Sequence, residues 1–439
     1  MRQWMVAAKK ADFYAIAEKF HVDPVVARII RNREVIGEKN IRIYLGGNLS
    51  DLSDPHQMKD MDRLVEILAQ KIRKQVHIRI IGDYDVDGVT SSHLFLTALR
   101  RVGAKVDVVI PHRIQDGYGL SLHLLQQAKE DGVDTILTCD NGIAAIDEIA
   151  WAKAQKMTVL VTDHHAVPFE EHEGRRTEKK SLADAVVNPH QQDCGYPYKE
   201  LCGAGVAWNV IRVLYENYDM DKREAEDLLD FVAMATVCDV MSLTGENRIL
   251  VKEGLKRIRH TKNIGLQALM QACNVQPENI SAYHFGYVLG PCVNATGRLD
   301  TARHALRLFE TGQETEAEEI ARDLVDLNQE RKELTLQGVE MAKKLCEEGG
   351  YENDPVLVLF LPDVHESIAG LIAGRIREMY NRPVFVLTRG EEGVKGSGRS
   401  TENYSMYENM CGCAELFTKF GGHPMAAGLS LLEAVSYTH

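Results

Sequence analysis

Short apolar runs that alternate with helical patterns between residues 76 and 165 restrict the fold of this chain more than any other feature of its sequence. Four of these runs read HIRII, KVDVV, TILTC and TVLVT, and the segments between them carry apolar residues at helical spacing. Strands that are buried on both faces and separated by helices are typical of a doubly wound, mostly parallel sheet. The sequence therefore predicts an α/β domain with helices flanking such a sheet.

A second and smaller α/β unit is predicted near the end of the sequence, where PVLVLFL and PVFVL resemble strands on either side of a helical pattern. The stretch from 301 to 348 contains no proline and many charges at helical spacing. We expect long connecting helices there, either as a solvated spacer or as part of a substrate surface. The predicted segments are a helical region at 1–60, the main α/β domain at 61–300, connecting helices at 301–348 and the second domain at 349–439.

The composition limits the possible partners of the chain. The formal net charge of −13 disfavours a protein that coats duplex DNA through a basic surface, although it remains compatible with a local basic groove. No apolar run approaches the ~20 residues that span a bilayer, and the first residues lack the pattern of a secretory signal. We therefore expect a cytoplasmic protein with no membrane partner.

Three aspartates alternate in the segment GDYDVDG, directly after the first predicted strand. In an extended segment alternate residues point the same way, so Asp83, Asp85 and Asp87 can face one point. Gathering three like charges costs free energy unless a cation neutralises them, and a hard divalent ion is the natural partner. For this segment alone, an acidic surface loop is the alternative.

Two further predicted strands also end in acidic or imidazole groups. Asp140 follows TILTC, and Asp163, His164 and His165 follow TVLVT. Parallel sheets bind ligands at the carboxyl ends of their strands, so these groups should converge on one crevice. Mixed carboxylate and imidazole ligands suit Mn²⁺, with Mg²⁺ as the alternative, and their number exceeds what one ion needs. The sequence thus predicts two ions and the hydrolysis of a phosphoester.

Four motifs carry a resemblance to a known superfamily. In order along the chain they read GDYDVDG, TCDNG, TDHH and VCDVM, and they are similar to the four motifs of the DHH phosphoesterases. Two later segments, KGSGRS and GGHPMAAG, resemble the DHHA1 domain with which members of that superfamily hold their substrates. The segments PVVARIIRNR, PHRIQDGYGL and GPCVNATGRLD narrow the resemblance to the RecJ family, which then covers almost the whole chain.

The resemblance implies an activity and a set of partners. RecJ proteins are exonucleases specific for single-stranded DNA, so we expect 5′-to-3′ hydrolysis of single strands in DNA repair and recombination. A single-strand-binding protein and a RecQ-type helicase are the implied protein partners. Two alternatives stay open, namely a DHH phosphodiesterase that acts on short oligonucleotides or cyclic dinucleotides, and a non-catalytic DNA-binding replication scaffold.

The resemblance also implies roles for individual residues at the predicted strand ends. His165 would contact the scissile phosphate, Asp163 would orient the neighbouring imidazoles, and Asp140 would bridge the two ions as a catalytic residue. The implied metal ligands are Asp83, Asp85, Asp87, Asp140, His164 and Asp239.

Residues outside the strand ends are candidates for holding the substrate. Phosphates need cations with forked donors, and the candidate arginines each lie in a glycine-flanked or turn-like motif. The alternatives are solvated arginines and, at the later glycines, a simple turn. Tyr118 is a candidate for stacking on a base, or it packs under its own loop. The implied substrate-binding residues are Arg113, Arg298, Ser397, Arg399, Gly421, Gly422 and His423.

The end of the sequence departs from the family pattern. RecJ proteins continue beyond the GGHPMAAG motif with the rest of that domain and an oligonucleotide-binding barrel, whereas this sequence ends at His439. Its last residues, EAVSYTH, do not continue the pattern. We therefore expect an incomplete second domain, no barrel, intact metal chemistry and a weakened affinity for single strands.

Overall fold

A computed structural model describes residues 9–113, 116–117, 119–172, 175–299, 301–390 and 393–432, with only the backbone for residues 172, 175, 176 and 352. The described chain forms two compact units. The first runs to Gly297 and includes Thr301–Leu324, and the second contains Arg298, Leu299 and the residues from Val325 onward.

Within the described residues, four α-helices precede the first strand. Asp12 and Asp23 begin the first two helices, because their side chains accept hydrogen bonds from the backbone amides of Ala15 and Val25. Pro24 suits the first turn, where a backbone donor has no partner within the helix. The four helices are α1 (Phe13–Phe20), α2 (Pro24–Asn32), α3 (Glu38–Gly46) and α4 (Met61–Arg73).

The first unit is built on a parallel sheet of five strands. The strands of this unit, including two that lie outside the sheet, are β1 (Ile78–Ile81), β2 (Val106–Val109), β3 (Thr135–Cys139), β4 (Thr158–Thr162), β5 (Phe169–His172), β6 (Arg175–Glu178) and β7 (Ala185–Val187). Strands β5 and β6 pair with each other as an antiparallel hairpin. The other five lie in the order β2-β1-β3-β4-β7, and every neighbouring pair is parallel. Their carboxyl ends therefore share one edge of the sheet.

Helices connect the strands of this sheet. They are α5 (Val86–Arg101), α6 (Leu122–Glu130) and α7 (Ile146–Ala154). Side chains of α6 and α7 form a core with buried residues of the sheet such as Ile136, Val159 and Val161. The predicted α/β fold with a mostly parallel sheet is confirmed. The sequence did not predict β7 or the hairpin, because β7 is only three residues long and the hairpin is rich in charged residues.

The part of the first unit that follows β7 is mostly helical. The helices are α8 (Gly203–Asn217), α9 (Lys222–Glu226), α10 (Leu229–Cys238), α11 (Gly245–Arg257), α12 (Ile264–Ala272), α13 (Ala282–His284), α14 (Gly290–Leu299) and α15 (Arg303–Glu310). A π-helical turn, Phe285–Leu289, joins α13 to α14. Helices α10 and α11 pack closely, since a Cβ at Gly254 would lie 2.2 Å from the carbonyl oxygen of Leu229 and 2.3 Å from Ala233 Cβ. Gly254 therefore sets the spacing of the helix that leads to Asp239.

Helix α16 (Glu314–Gly349) begins in the first unit and ends in the second. Its 36 residues match the long connecting helix expected from the charge pattern. Despite that length, neither α16 nor any other described helix combines the length and the apolar character needed to cross a membrane.

The second unit contains a mixed sheet with its own core. Its elements are β8 (Leu357–Phe360), α17 (Glu366–Tyr380), β9 (Val384–Gly390), β10 (Gly393–Arg399), α18 (Met406–Cys411), β11 (Lys419–His423) and β12 (Ala426–Leu431). The strand order is β11-β12-β10-β9-β8, in which β8 and β9 are parallel and the other pairs antiparallel. Helix α17 packs on one face of the sheet through Ile368 and Ile372, and α18 packs on the other through Met406 and Met410.

Gly254→Ala should destabilise the first unit, because the added methyl group would overlap the backbone of Leu229 and push α10 and α11 apart. Overpacking of this kind costs about 1–3 kcal/mol, so the midpoint of thermal unfolding should fall by several degrees. Gly46→Ala is the matched control, since a Cβ at that helical glycine meets nothing within 4 Å. Equal midpoints for the two variants would contradict the close packing of these helices.

Candidate metal centre

The segment after β1 turns into a helix instead of continuing as an extended chain. Helix α5 begins at Val86, and the Asp85 side chain caps it by accepting hydrogen bonds from the amides of Asp87 (2.9 Å) and Gly88 (3.0 Å). The predicted extended geometry of the three alternating aspartates is therefore wrong. Gly88 permits the turn, because a Cβ there would lie 2.5 Å from the backbone nitrogen of Asp83.

Asp87 faces the N-terminus of α8. Its two carboxylate oxygens accept hydrogen bonds from the amides of Gly203 (2.6 Å) and Ala204 (2.8 Å). The positive end of a helix stabilises a carboxylate in this position. Gly203 also leaves room for Asp140, whose Cβ would lie 2.6 Å from a Cβ at that glycine. Gly203 and Ala204 are not among the predicted site residues, although the glycine pair in CGAGVAW was an available signal.

Asp140 lies in a left-handed turn directly after β3. Its φ angle is 61°, a conformation that costs free energy for most residues and that Asp and Asn tolerate better than others. The Asn141 side chain holds the turn by donating to the carbonyls of Ile81 (3.1 Å) and Cys139 (2.9 Å). The turn therefore ties the ends of β1 and β3 together beside Asp140.

Asp163 holds the two histidines that follow it. One of its oxygens accepts hydrogen bonds from the amides of His164 (2.7 Å) and His165 (3.0 Å) and lies 2.8 Å from His165 Nδ1. The other oxygen accepts from the amide of Ile143 (2.9 Å). Both oxygens are thus engaged within the protein, and Asp163 contacts the imidazole of His165 at Nδ1.

His164 joins carboxylates from three separate segments. Its Nε2 atom lies 3.1 Å from Asp140 Oδ1, 3.7 Å from Asp87 Oδ2 and 3.6 Å from Asp239 Oδ2. Asp239 follows the last residue of α10, so a helix also contributes to the sheet edge. Possible ligand atoms lie within 4.8 Å of one another in three groups: Asp140, His164 and His165; Asp87, His164 and Asp239; and Asp83, Asp85 and Asp140. The structure thus brings all the predicted metal ligands together.

Burial and mutual repulsion disfavour the charged forms of these carboxyl groups. Burial, followed by the charges of neighbouring carboxylates, raises the pKa values of Asp83 and Asp140 well above their ordinary range. The same two causes raise the pKa of Asp239 to about 8 and also raise that of Asp85. Burial lowers the pKa of His164, so its imidazole is neutral near pH 7. Without a cation, Asp239 therefore holds a proton at neutral pH, and the charged forms of Asp83, Asp85 and Asp140 are disfavoured.

His165 has the opposite electrostatic character. Burial alone would lower its pKa, but the hydrogen bond with Asp163 and the charges of Asp163, Asp239 and Asp87 raise it to about 9. Its Nδ1 atom lies 3.9 Å from Asp140 Oδ1. The side chain of His165 is 44% exposed, whereas the side chain of Asp140 is only 3% exposed. His165 is therefore a cation at neutral pH on the border between buried carboxylates and solvent.

The donor atoms of this cluster fit a divalent metal ion. Asp83 Oδ1 and His164 Nε2 are buried and have no hydrogen-bond partner among the described residues. A buried polar atom without a partner costs free energy. A bound cation would remove this cost by accepting the lone pairs of these two atoms. Carboxylate oxygens combined with an imidazole nitrogen suit Mn²⁺, and the carboxylates also suit Mg²⁺. The residues present therefore match the predicted metals.

Arg113 lies beside this cluster in the first unit. Its guanidinium lies over the ring of Tyr84, 4.6 Å from the ring centroid. Its positive charge partly offsets the rise in the pKa of Asp83, which places it near the carboxylates. Arg113 thus lies next to a predicted metal ligand. Tyr118, the predicted stacking residue, lies outside the described residues.

Three predicted substrate-binding residues lie in the second unit near the start of α17. Arg399 ends β10, and its guanidinium donates to Ser397 Oγ (3.3 Å). A Cβ at Gly370 would lie 2.8 Å from Ser397 Oγ and from Arg399 Nη2, so the missing side chain lets α17 approach both. Arg298 donates to the carbonyl of Ser367 (2.6 Å) in the first turn of α17. Each of these arginines directly follows a glycine, as predicted, but Arg298 lies within α14 and Arg399 within a strand, so neither lies in a turn.

Gly421, Gly422 and His423, which the resemblance implies as substrate-binding residues, lie in a strand and not in a turn. These residues belong to β11, the edge strand of the second sheet. The strand register pairs His423 with Ala426, and Ala426 with Arg399 on its other side. Side chains in one row across a sheet point to the same face, so His423 and Arg399 share a face.

Comparison with known protein families assigns a domain type to each unit. Residues 77–236 match the N-terminal domain of the DHH family, and residues 353–435 match the DHHA1 domain. The first match contains the ends of β1, β3 and β4, and Asp239 lies just beyond it. The predicted superfamily and its accessory domain are confirmed.

Curated relatives narrow the family further. The chain is 36% identical over 428 residues to the single-stranded-DNA-specific exonuclease RecJ of Haemophilus influenzae, which covers 93% of this chain and 72% of that protein. It is 34% identical over 419 residues to the protein of the same name from Bacillus subtilis, with coverage of 95% and 51%. The chain thus spans about half to three quarters of the length of these relatives.

Solved structures give the same result. RecJ from Thermus thermophilus in complex with Mn²⁺ has a TM-score of 0.80 at 29% identity, over 97% of this chain and 59% of that chain. Its complex with Mg²⁺ has a TM-score of 0.74 at 28% identity, over 97% and 57%. The expectation of Mn²⁺, with Mg²⁺ as the alternative, agrees with these metals. The ordered motifs, the metal-ligand geometry and the relatives together show that this chain belongs to the RecJ family of DHH phosphoesterases.

Proposed function

We propose that this chain is a divalent-metal-dependent exonuclease that hydrolyses the phosphodiester bonds of single-stranded DNA. The observation that carries the proposal is the convergence of Asp83, Asp140, His164 and Asp239 at the carboxyl edge of a parallel sheet. The relatives that it resembles over more than nine tenths of its length are named for this activity. The substrate is therefore single-stranded DNA, and the reaction is phosphodiester hydrolysis.

Two divalent ions would be held by the predicted ligands at this edge. Asp140 belongs to two of the three ligand groups, which supports its proposed role as the bridge. His164 also belongs to two groups and is neutral, as a metal ligand must be. When bound, such a pair of ions neutralises the carboxylates and supplies Lewis-acid chemistry for in-line displacement at phosphorus.

His165 would contact the scissile phosphate. It is a cation at neutral pH and partly exposed next to the carboxylate cluster. Asp163 fixes the ring at Nδ1 and stabilises its positive charge. A fixed cation in this position binds phosphate oxygens and stabilises the negative charge that grows on them during displacement. Arg113 would add a second cation on the same side as Asp83.

The finer points of the function rest on the family resemblance. These are 5′-to-3′ polarity, a role in DNA repair and recombination, a cytoplasmic location, and a single-strand-binding protein and a RecQ-type helicase as partners. The alternative of a dinucleotide phosphodiesterase is disfavoured because the RecJ similarity covers 93% of the chain. The alternative of a non-catalytic scaffold is disfavoured because the predicted ligands are all present and brought together.

An end-labelled oligonucleotide tests the proposal. The chain should release nucleotides from a single strand with Mn²⁺ or Mg²⁺, release none with a chelator, and leave a blunt duplex of the same sequence intact. A strong preference for a dinucleotide would instead support the phosphodiesterase alternative. Binding of the strand without release of nucleotides would support the scaffold.

Asp140→Ala should abolish cleavage while binding of single strands survives. Removing a residue that hydrogen-bonds to a metal ligand lowers metal affinity or activity about 10- to 100-fold. Removing a carboxylate that belongs to two ligand groups should therefore lower kcat by more than about 100-fold. Asp147→Ala, which removes an exposed aspartate of α7, is the control and should leave kcat unchanged. Appreciable residual cleavage by Asp140→Ala would show that this residue does not bridge the ions.

The metal-free protein should lose stability as the pH rises from 6.5 to 8. Folded Asp239 has a pKa of about 8 against 3.8 in the unfolded chain, and folded His165 has a pKa of about 9 against 6.5. Between pH 6.5 and 8 the folded state thus holds protons that the unfolded state has released, so the free energy of unfolding falls with pH. His164, whose pKa is lowered, acts in the opposite direction, because it makes stability rise with pH, but only below pH 6.5.

Thermal unfolding in a chelator at pH 6.5 and pH 8 measures this dependence. Asp239→Asn should flatten it, and added Mn²⁺ should raise the unfolding midpoint more at pH 8, because the ligands must release their protons to bind the ion. A midpoint that rises with pH in the chelator would contradict the raised pKa values of the cluster.

Arg399→Ala should raise KM for single strands with little change in kcat, because a guanidinium that binds backbone phosphate serves binding. The slope of log KM against log salt should fall by about 0.7 for the lost phosphate contact. Arg375→Ala, which removes an exposed arginine of α17, is the matched control. The same KM and salt dependence in both variants would remove Arg399 from the substrate site.

A further inference from the structure

We propose that Tyr283 and Tyr287 form a base-stacking platform for single-stranded DNA beside the metal centre. Their rings are stacked, with centroids 5.2 Å apart and an angle of 22° between the ring planes. Both are strongly exposed, at 62% and 72%. The inference rests on the proposed nuclease function and identifies a place where the chain would hold its substrate.

The backbone that carries the two rings has a rare geometry. Tyr283 lies in α13, and Tyr287 lies in the π-helical turn Phe285–Leu289. Single π-helical turns within helical segments are uncommon and occur frequently at functional sites. Residues four apart in a helical segment are neighbours on its surface, so the segment presents both rings on the same side.

The platform is fixed to the helix that ends at a predicted metal ligand. Phe285 is fully buried, and its carbonyl accepts a hydrogen bond from Cys238 Sγ (3.3 Å). Gly290 permits this contact, because a Cβ there would lie 2.3 Å from the same sulfur. Cys238 ends α10 and precedes Asp239, whose Oδ2 lies 3.6 Å from His164 Nε2. A partly buried hydrogen bond therefore connects the segment with the exposed rings to the helix that leads to Asp239.

These contacts set an upper limit on the distance between Asp239 and the two rings. Cys238 is the chain neighbour of Asp239 and contacts Phe285, which is two residues from each tyrosine. Consecutive Cα atoms are ~3.8 Å apart, so the rings lie within about 25 Å of Asp239. A strand whose end is held at the metals would cross this distance with a few nucleotides.

The chemistry of the platform matches a single strand better than a duplex. Every base has an aromatic face, so tyrosine rings bind single strands without regard to sequence. In a duplex those faces are covered by neighbouring bases, which leaves the platform without a partner. Stacking also compensates for the net charge of −13, which limits what phosphate contacts can add to affinity.

The variant Tyr283→Ala/Tyr287→Ala tests the platform, with Tyr14→Ala as a control that removes a 78% exposed tyrosine from α1. Wild-type protein with Mn²⁺ is assayed first on a long single strand, and failure to digest it would reject the nuclease function and the platform with it. If digestion occurs, the double variant should raise KM about 10- to 100-fold. The control should leave KM unchanged.

Two further measurements separate lost stacking from lost structure. Hydrolysis of the p-nitrophenyl ester of thymidine monophosphate, which has no second base, should be the same in all variants. Tyr283→Phe/Tyr287→Phe should keep the wild-type KM for the long strand, because stacking needs the ring and not the hydroxyl group.

Abasic substrates test the platform even if the alanine variant fails to fold. For the wild-type protein, removal of two adjacent bases at one distance from the cleaved end should raise KM, while the same lesion elsewhere should not. The folded alanine variant should respond equally at all positions. A wild-type KM that is indifferent to lesion position, or an unchanged KM in the alanine variant, would overturn the proposal. An altered oligomeric state with unchanged KM would instead identify the rings as a contact between copies of the chain.

Discussion

The carboxylate cluster at the edge of the first sheet is the constraint on which the rest of the structure depends. Asp83 and Asp140 are almost fully buried, and their surroundings disfavour the charged forms. A fold tolerates such a cluster only when protons or cations neutralise it. The surrounding elements supply part of the compensation, through the N-terminus of α8 at Asp87 and the charged imidazole of His165. Under the proposed function, divalent ions would supply the remainder.

This constraint explains the arrangement of the first unit. Parallel strands place the groups after β1, β3 and β4 at one edge, and α10 adds Asp239 from a separate part of the chain. The same helix carries the segment with Tyr283 and Tyr287 through its last residue, Cys238. Metal binding and the proposed strand binding in this unit would therefore both depend on α10. The second unit independently gathers Ser397 and Arg399 under α17.

Local patterns made the strand ends predictable, because apolar runs and the polar residues that follow them are adjacent in the sequence. Asp140 and His164 could therefore be assigned to one crevice from the sequence alone. Interactions over long separations could not be predicted. The amide of Gly203 donates a hydrogen bond to Asp87, which lies 116 residues earlier, and no local sequence pattern predicts that contact. The edge strand at Gly421 could not be predicted for the same reason, because its pairing with β12 overrides the preference of glycine for turns.

Equilibrium dialysis of the chelator-treated chain against Mn²⁺ at pH 8 tests most directly whether this cluster is a metal centre. We expect two ions per chain, removal of both by a chelator, and reduced binding in Asp140→Asn, which keeps the shape of the side chain and loses its charge. Absence of bound Mn²⁺ in the wild-type chain, or equal binding by the two proteins, would contradict the assignment of these carboxylates to divalent ions.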